Sequence, residues 1–229
     1  MADPKAAMAA DQYVAGRSRL LDLAANLSEQ QLSTPVPATP GWDVHDVVAH
    51  VAGLPADVLT GRLSGLPSGE FTARQVEQRR GAAVADLAAE WAAGVDRIAD
   101  GLRSGLLPPN LAVDVITHEQ DIRGALQLPR LADPAAIRFC VDKYARNCRH
   151  SIGAAGLPAV RLESSDSDFR LDADGATVTL RAPEFELFRA LSGRRGERQV
   201  CALDWSADPA PYLAHINVFG ALPAGDIVD

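Results

Sequence analysis

The chain has 229 residues, of which 47% are hydrophobic and 23% charged, and its net charge is −8 at pH 7. That length accommodates one large domain or two small ones, and the composition is ordinary for a soluble globular protein. The acidic balance argues against a general nucleic-acid binder and against docking on an anionic membrane, since both need clustered Lys and Arg.

No stretch approaches the roughly 20 apolar residues that span a bilayer. The opening residues MADPKAAMAADQYVAG hold no apolar run, so a secretory signal is not expected and a cytoplasmic location is. Residues 6–27 carry alanine and leucine at helical spacing, with Tyr13, Leu20, Leu21, Leu23 and Leu27 among them. The segment STPVPATPG (33–41) then ends any helix with its prolines and closing glycine. Asp43 is placed to cap a second helix, whose apolar stripe is Val44, Val47, Val48, Val51 and Leu54. Pro55 is expected to kink or interrupt it, and Gly61 to Gly69 reads as a loop.

A long third helix is expected from about Thr72 to Leu102, turning Val76, Val84, Leu87, Trp91, Val95 and Ile98 inward. Arg79, Arg80, Glu90 and Asp96 would form its solvated face. Pro108 and Pro109 reset the chain, Asn110 opens a fourth helix that ends before Pro129, and Asp133-Pro134 starts a fifth running to about Ser151. Four to five helices with short links are a bundle pattern. After Gly153 the character changes. Strands are expected near 159–164, 169–172 and 176–181, with DADG as a turn between the last two. A helix should follow from Pro183 to Leu191, then a strand at 199–203 and a closing helix from Asp208-Pro209 to Phe219. The expected architecture is a four-helix bundle over 1–152 followed by a small α+β domain over 153–229.

The chemistry-bearing residues are few. Cys140, Cys148 and Cys201 show no CxxC spacing, and the first two, in an expected helix, are read as buried, inert thiols. Asp114 and His118 lie one turn apart on the fourth helix, and side chains at that spacing sit about 5–6 Å apart at Cβ, close enough to meet on one ion. His50 is in phase with Val47, Val51 and Leu54, on the apolar side of the second helix, and can supply a third ligand from there. Two histidines and a carboxylate with room for water or substrate describe an open divalent-metal site. An acid among Leu111, Val113, Val115 and Ile116 is costly to bury unless paired or metal-bound. The other reading is that Asp114 hydrogen-bonds His118 and both merely satisfy a helix contact. Residue pattern alone leaves the two about even.

Two stretches, TPGWDVHDVVAHVAG (39–53) and DVITHEQDIRGALQLP (114–129), resemble the mycothiol-dependent maleylpyruvate isomerase family. FELFRALSGRR (185–195) fits its smaller C-terminal domain. The resemblance implies a DinB-like helical bundle followed by a sterol-carrier-like α+β domain. It also implies a divalent metal, commonly zinc, held by His50, Asp114 and His118. Family members often carry glutamate where this chain has Asp114, which keeps the charge and shortens the reach. Asp121, one turn beyond His118, is the candidate partner behind that ligand, and a solvated ion pair with Arg123 is the alternative; both residues are grouped with the cofactor-binding set. An arginine of the C-terminal domain is implied in catalysis. Arg194 or Arg195 is the nearest match, suited to hold a carboxylate bidentately, with plain solvation in a basic loop as the other reading.

The implied chemistry has the metal bind mycothiol, lower its pKa and supply a thiolate that adds to an electrophilic carbon. Isomerisation results if the adduct rotates and expels the thiol, and transfer if it does not. The expected partners are a small electrophile and a low-molecular-weight thiol, without nucleic acid or membrane, for a monomer or homodimer. Two other functions fit the same residues: Fe(II) chemistry at the two-histidine, one-carboxylate site, and a non-catalytic small-molecule-binding protein.

Overall fold

The computed structural model describes residues 3–62, 68–217 and 219–229. Residues 63–67, the middle of the expected glycine- and serine-rich loop, lie outside the described residues. The chain divides into two compact units. One runs to Leu131 and includes Asp229, and the other spans Ala132–Val228.

The N-terminal unit contains α1 (Pro4–Ala24), α2 (Glu29–Leu32), α3 (Val44–Leu59), α4 (Gly69–Glu77), α5 (Val84–Ala92), α6 (Val95–Arg103) and α7 (Asn110–Ala125). α1 packs on α6 and α7, while α3 packs on α4, α5 and α7, which gives a bundle. Leu20, Val47, Val51, Trp91, Ile98, Leu102, Ile116 and Ile122 are buried in its core. No described helix is long and apolar enough to cross a membrane.

α3 begins as its sequence implies. The Asp43 carboxylate accepts from the Asp46 N–H at 2.8 Å, and Asp46 reaches back to the Asp43 N–H, a reciprocal capping box. Pro55 does not interrupt the helix, which continues to Leu59. The proline forfeits one backbone bond, but Val47, Val48, Val51 and Leu54 are all buried and hold the helix to the core.

The long third helix is instead three: α4, α5 and α6. The first break, at 78–83, contains Gly81 at φ +85°, a left-handed conformation incompatible with a continuing right-handed helix. The second falls at Ala93 and Gly94. Breaking the helix turns Arg79 inward rather than onto a solvated face. It is 8% exposed, its Nε donates to Glu90 Oε2 at 2.9 Å and its Nη1 to the Gln75 carbonyl at 3.0 Å. The guanidinium fills the space beside Gly53, where an added Cβ would collide with Arg79 Cζ. α4 is thereby tied to α5 and laid against α3.

The C-terminal unit opens with α8 (Pro134–Ala154), capped by the Asp133 carboxylate, which accepts from the N–H groups of Ala135 and Ala136. The expected domain boundary at 152 falls at the end of this helix, whereas the compact units divide before it. α8 packs on α9 (Glu184–Leu191), on β1 and on a 3₁₀ helix at Ala210–His215. Strands β1 (Val160–Ser164), β2 (Arg170–Leu171), β3 (Val178–Ala182) and β4 (Asp204–Trp205) form one sheet in the order β2-β1-β3-β4. β1 and β3 are parallel and the outer pairs antiparallel, so the DADG turn joins strands that flank β1 rather than pair. The strand expected at 199–203 is the short helix α10 (Glu197–Cys201). The Val200 N–H donates to the Gly196 carbonyl at 3.0 Å and Gln199 Oε1 caps the turn by accepting from the Gly196 N–H at 2.9 Å, so local bonds make a helix where side-chain pattern alone suggested a strand. The closing helix to Phe219 is shorter than expected, confined to the 3₁₀ turn, and residue 218 lies outside the described residues.

Candidate metal centre

α7 is buried along nearly its whole length, from Leu111 to Ile122, with Asp114 half-buried among those residues. One turn on, His118 is 6% exposed, and its Nε2 lies 3.6 Å from Asp114 Oδ1. His50 of α3 is 3% exposed and places its Nε2 3.4 Å from the other oxygen, Asp114 Oδ2. The two imidazoles meet edge to face, with ring centroids 5.2 Å apart. One ligand atom from each of the three residues falls within 4.8 Å of the others. The structure thus brings His50, Asp114 and His118 together.

The spacings bear on whether these residues fit a metal. Donors about 2.0–2.2 Å from a tetrahedral centre stand roughly 3.3–3.6 Å apart. The two imidazole–carboxylate separations, 3.4 and 3.6 Å, lie in that range and are long for hydrogen bonds. The donor chemistry agrees. Asp121, 2% exposed, lies with Oδ2 3.0 Å from His118 Nδ1. A carboxylate accepts, so it holds the ring proton on Nδ1 and leaves the Nε2 lone pair toward Asp114. The shorter aspartate therefore reaches both imidazoles.

Asp121 is engaged with His118 rather than with Arg123. Arg123 donates to Glu119 through Nε at 3.1 Å and Nη2 at 2.9 Å, and Arg19 Nε approaches the same fully buried carboxylate at 2.9 Å. Arg194 and Arg195 are not solvated loop residues, being 9% and 4% exposed. Arg195 donates to Glu186 Oε2 at 2.8 Å and Oε1 at 3.2 Å, while Arg194 donates to the Ser192 carbonyl at 2.7 Å and lies over the Phe219 ring. Both are held by partners inside the C-terminal unit.

Three residues around the triad escape a reading by sequence. Trp42, just before α3, packs its indole against both imidazoles, with centroids 5.1 Å from His50 and 6.4 Å from His118. Gln75 of α4 sets its Oε1 2.6 Å from His50 Nδ1, and its Nε2 donates to Asp57 Oδ2 at 2.5 Å. Asp57 stands two helical turns after His50 on the same face, a spacing that could have flagged it. Gln75 carries no such signal, because it arrives from another helix.

A second group, Asp43, His45 and Asp46, lines a cleft of about 840 Å³ together with Glu29 and Arg80. Its atoms already have work in the fold: the two aspartates close the α3 capping box and His45 Nε2 lies 2.8 Å from the Ala82 carbonyl.

Residues 13–105 match a family model described as the mycothiol maleylpyruvate isomerase N-terminal domain. Two solved structures share the fold. One is the mycothiol-dependent maleylpyruvate isomerase, with TM-score 0.53, and the other is a histidine-to-alanine mutant under the same name, with TM-score 0.52. Each is 13% identical to this chain, and each alignment covers 87% of this chain and 92% of the other. The resemblance to the mycothiol-dependent maleylpyruvate isomerase family is borne out. So is the fold class, a helical bundle followed by a small α+β domain. The family match includes His50, Asp57 and Gln75 and stops short of Asp114 and His118. At 13% identity the structural likeness is one of fold. No curated protein matches the chain in sequence.

Proposed function

We propose that the chain is a metal- and mycothiol-dependent enzyme that adds the thiol to an electrophilic small molecule, ending in isomerisation or transfer. The observation that carries this reading is the convergence of His50, His118 and the Asp114 carboxylate, whose ligand atoms lie within 4.8 Å of one another, with imidazole–carboxylate separations of 3.4 and 3.6 Å. The thiol comes from the family likeness, since mycothiol stands in the names of the matching family model and of both fold relatives. Two imidazoles and one carboxylate suit zinc with a position left open. A divalent metal held there lowers the pKa of a bound thiol and supplies thiolate at neutral pH.

The chain's own residues orient and select. Asp121 keeps the His118 proton on Nδ1, so that ring offers a lone pair. Asp114 contributes the negative charge, and its side chain, 32% exposed, marks a solvent-facing side of the triad. Trp42 packs against both imidazoles, which keeps the rings dry there and limits the ways a ligand can approach. On addition, a carbon–sulfur bond forms and the π electrons of the electrophile move onto its conjugated carbonyl. Rotation and expulsion of the thiolate give an isomer with the thiol regenerated. Protonation of the adduct instead gives transfer.

Metal analysis of the wild type and of His118→Ala, followed by mycothiol-dependent turnover with maleylpyruvate and related electrophiles, tests the proposal. Wild type should carry a divalent metal and the variant should lose it, with activity falling to background. Equal metal in both proteins would sink the site. Metal lost on mutation, with no thiol-dependent turnover by wild type across these electrophiles, would sink the chemistry and spare the site.

A further inference from the structure

We propose that Gln75 and Asp57 are positioning residues for His50, a buried amide–carboxylate pair that fixes which ring nitrogen faces the metal position. The inference rests on the metal reading above and adds residues that the motifs do not contain. It starts from hydrogen-bond bookkeeping. Asp57 is 4% exposed, and its Oδ1 lies 2.8 Å from Arg62 Nη2, an ion pair in which the carboxylate is the acceptor. An ionised carboxylate only accepts, so the Gln75 group 2.5 Å from Asp57 Oδ2 must be the amide nitrogen. The amide oxygen then faces His50 Nδ1 at 2.6 Å, and an oxygen only accepts. His50 must therefore carry its proton on Nδ1. In the neutral ring that leaves Nε2 bare, 3.4 Å from Asp114 Oδ2.

Every donor in this chain of contacts runs one way, from His50 to Gln75 to Asp57, with Arg62 closing the outer end. Reversing any link would set two acceptors or two donors face to face. The residues that hold the chain in place are also buried. Gln75 is 2% exposed, and its backbone carbonyl accepts from Arg79 Nη1, the side chain lodged beside Gly53. A leucine at 75 would satisfy a core position equally well, whereas a buried glutamine costs free energy unless each polar atom is paired. Here both ends of the amide are paired, and one of them is paired to a candidate ligand.

The two imidazoles consequently reach the same tautomer by different partners. His118 donates to a carboxylate, and His50 to a neutral amide oxygen polarised by a carboxylate behind it. Both present bare Nε2 atoms to Asp114.

Nitrogen NMR of histidine-labelled, metal-free protein at alkaline pH, where imidazole is neutral, reads the tautomer directly. Wild-type His50 should show a protonated Nδ1 and a bare Nε2. A proton on Nε2 would overturn the proposal outright. Gln75→Leu should release the ring to both tautomers and weaken Co(II) binding about 10–100-fold, the size typical for partners behind a ligand, while the His118 signals stay put. The double variant Gln75→Glu with Asp57→Asn re-pairs the chain with opposite groups and should restore both the tautomer and most of the Co(II) affinity. Restoration separates positioning from mere core packing; a double variant no better than Gln75→Leu overturns the role. If wild type binds no Co(II) while His50 is locked on Nδ1, the metal reading fails and positioning for a metal falls with it. If wild type binds Co(II) and Gln75→Leu matches its affinity and tautomer, the positioning role alone fails.

Discussion

α7 and α3 deliver their parts of the candidate site by different means. α7 carries Asp114, His118 and Asp121 on one face, so ligand, ligand and ligand partner come from a single rigid helix. α3 carries only His50 and, two turns on, Asp57; the side chain between them comes from α4. The α7 arrangement survives any movement that leaves one helix intact. The α3 arrangement depends on how α4 lies against α3, which in turn depends on Arg79, Glu90 and the absence of a side chain at Gly53. A site can thus be half local and half tertiary, and its two halves should fail differently.

The largest separation of the two arms is expected from Asp121→Asn. It replaces an anionic partner of His118 with a neutral one, the kind His50 already has. Co(II) or Zn(II) affinity should fall about 10–100-fold, measured by competition with a chelator, with little change in overall stability. Equal affinity in the two proteins would mean that the carboxylate behind His118 has no bearing on binding.

A smaller effect on metal, combined with a clear one on stability, is expected from Gly53→Ala. The new methyl displaces the buried Arg79 guanidinium from its place beside α3, and overpacking of this kind costs about 1–3 kcal/mol, partly offset by the roughly 1 kcal/mol that alanine gains over glycine inside a helix. Shifting α4 should also disturb His50 through Gln75, weakening metal binding several-fold while leaving the His118 ring signals unmoved. Chemical denaturation and the same competition assay check both parts. Disturbance of His118 instead of His50 would break the distinction between the arms.

No effect on metal is expected from Tyr13→Phe, which touches neither arm. Burial pushes the Tyr13 hydroxyl up to about 12, although the bond from Trp91 Nε1 at 2.7 Å opposes the shift. The neutral form is the one favoured in the fold. Its contribution is therefore complete below about pH 10, the unfolded value, and is lost as pH rises toward 12. The substitution should remove that alkaline slope and lower stability at neutral pH by about 1–3 kcal/mol, because the buried Trp91 N–H loses its acceptor. Urea denaturation at neutral and alkaline pH reads both effects.

The start of α3 was legible because its cap, Asp43, stands directly before the first helical residue. The span of α7 followed from Asn110 and the proline beyond its end. The split of the third helix was not legible, since Val76, Leu87, Trp91 and Ile98 keep helical phase across breaks that backbone conformation at Gly81 and Gly94 decides. Likewise α10 reads as a strand by side chains and is a helix by its local backbone hydrogen bonds, with Gln199 capping its start. The resemblance to the family rested on two motifs, and the first of them lies inside the region that the family model matches.

By itself the sequence determined the contents of one helix face. Residues at i, i+4 and i+7 share a side of any α-helix, so Asp114, His118 and Asp121 were neighbours before any fold was known. Only the tertiary structure decided what lies opposite them. His50 and Gln75 are 25 residues apart and on different helices, and Asp114 is 64 residues beyond His50. Their meeting depends on how the helices pack, because helical periodicity fixes the face a side chain occupies and leaves its partner to the packing.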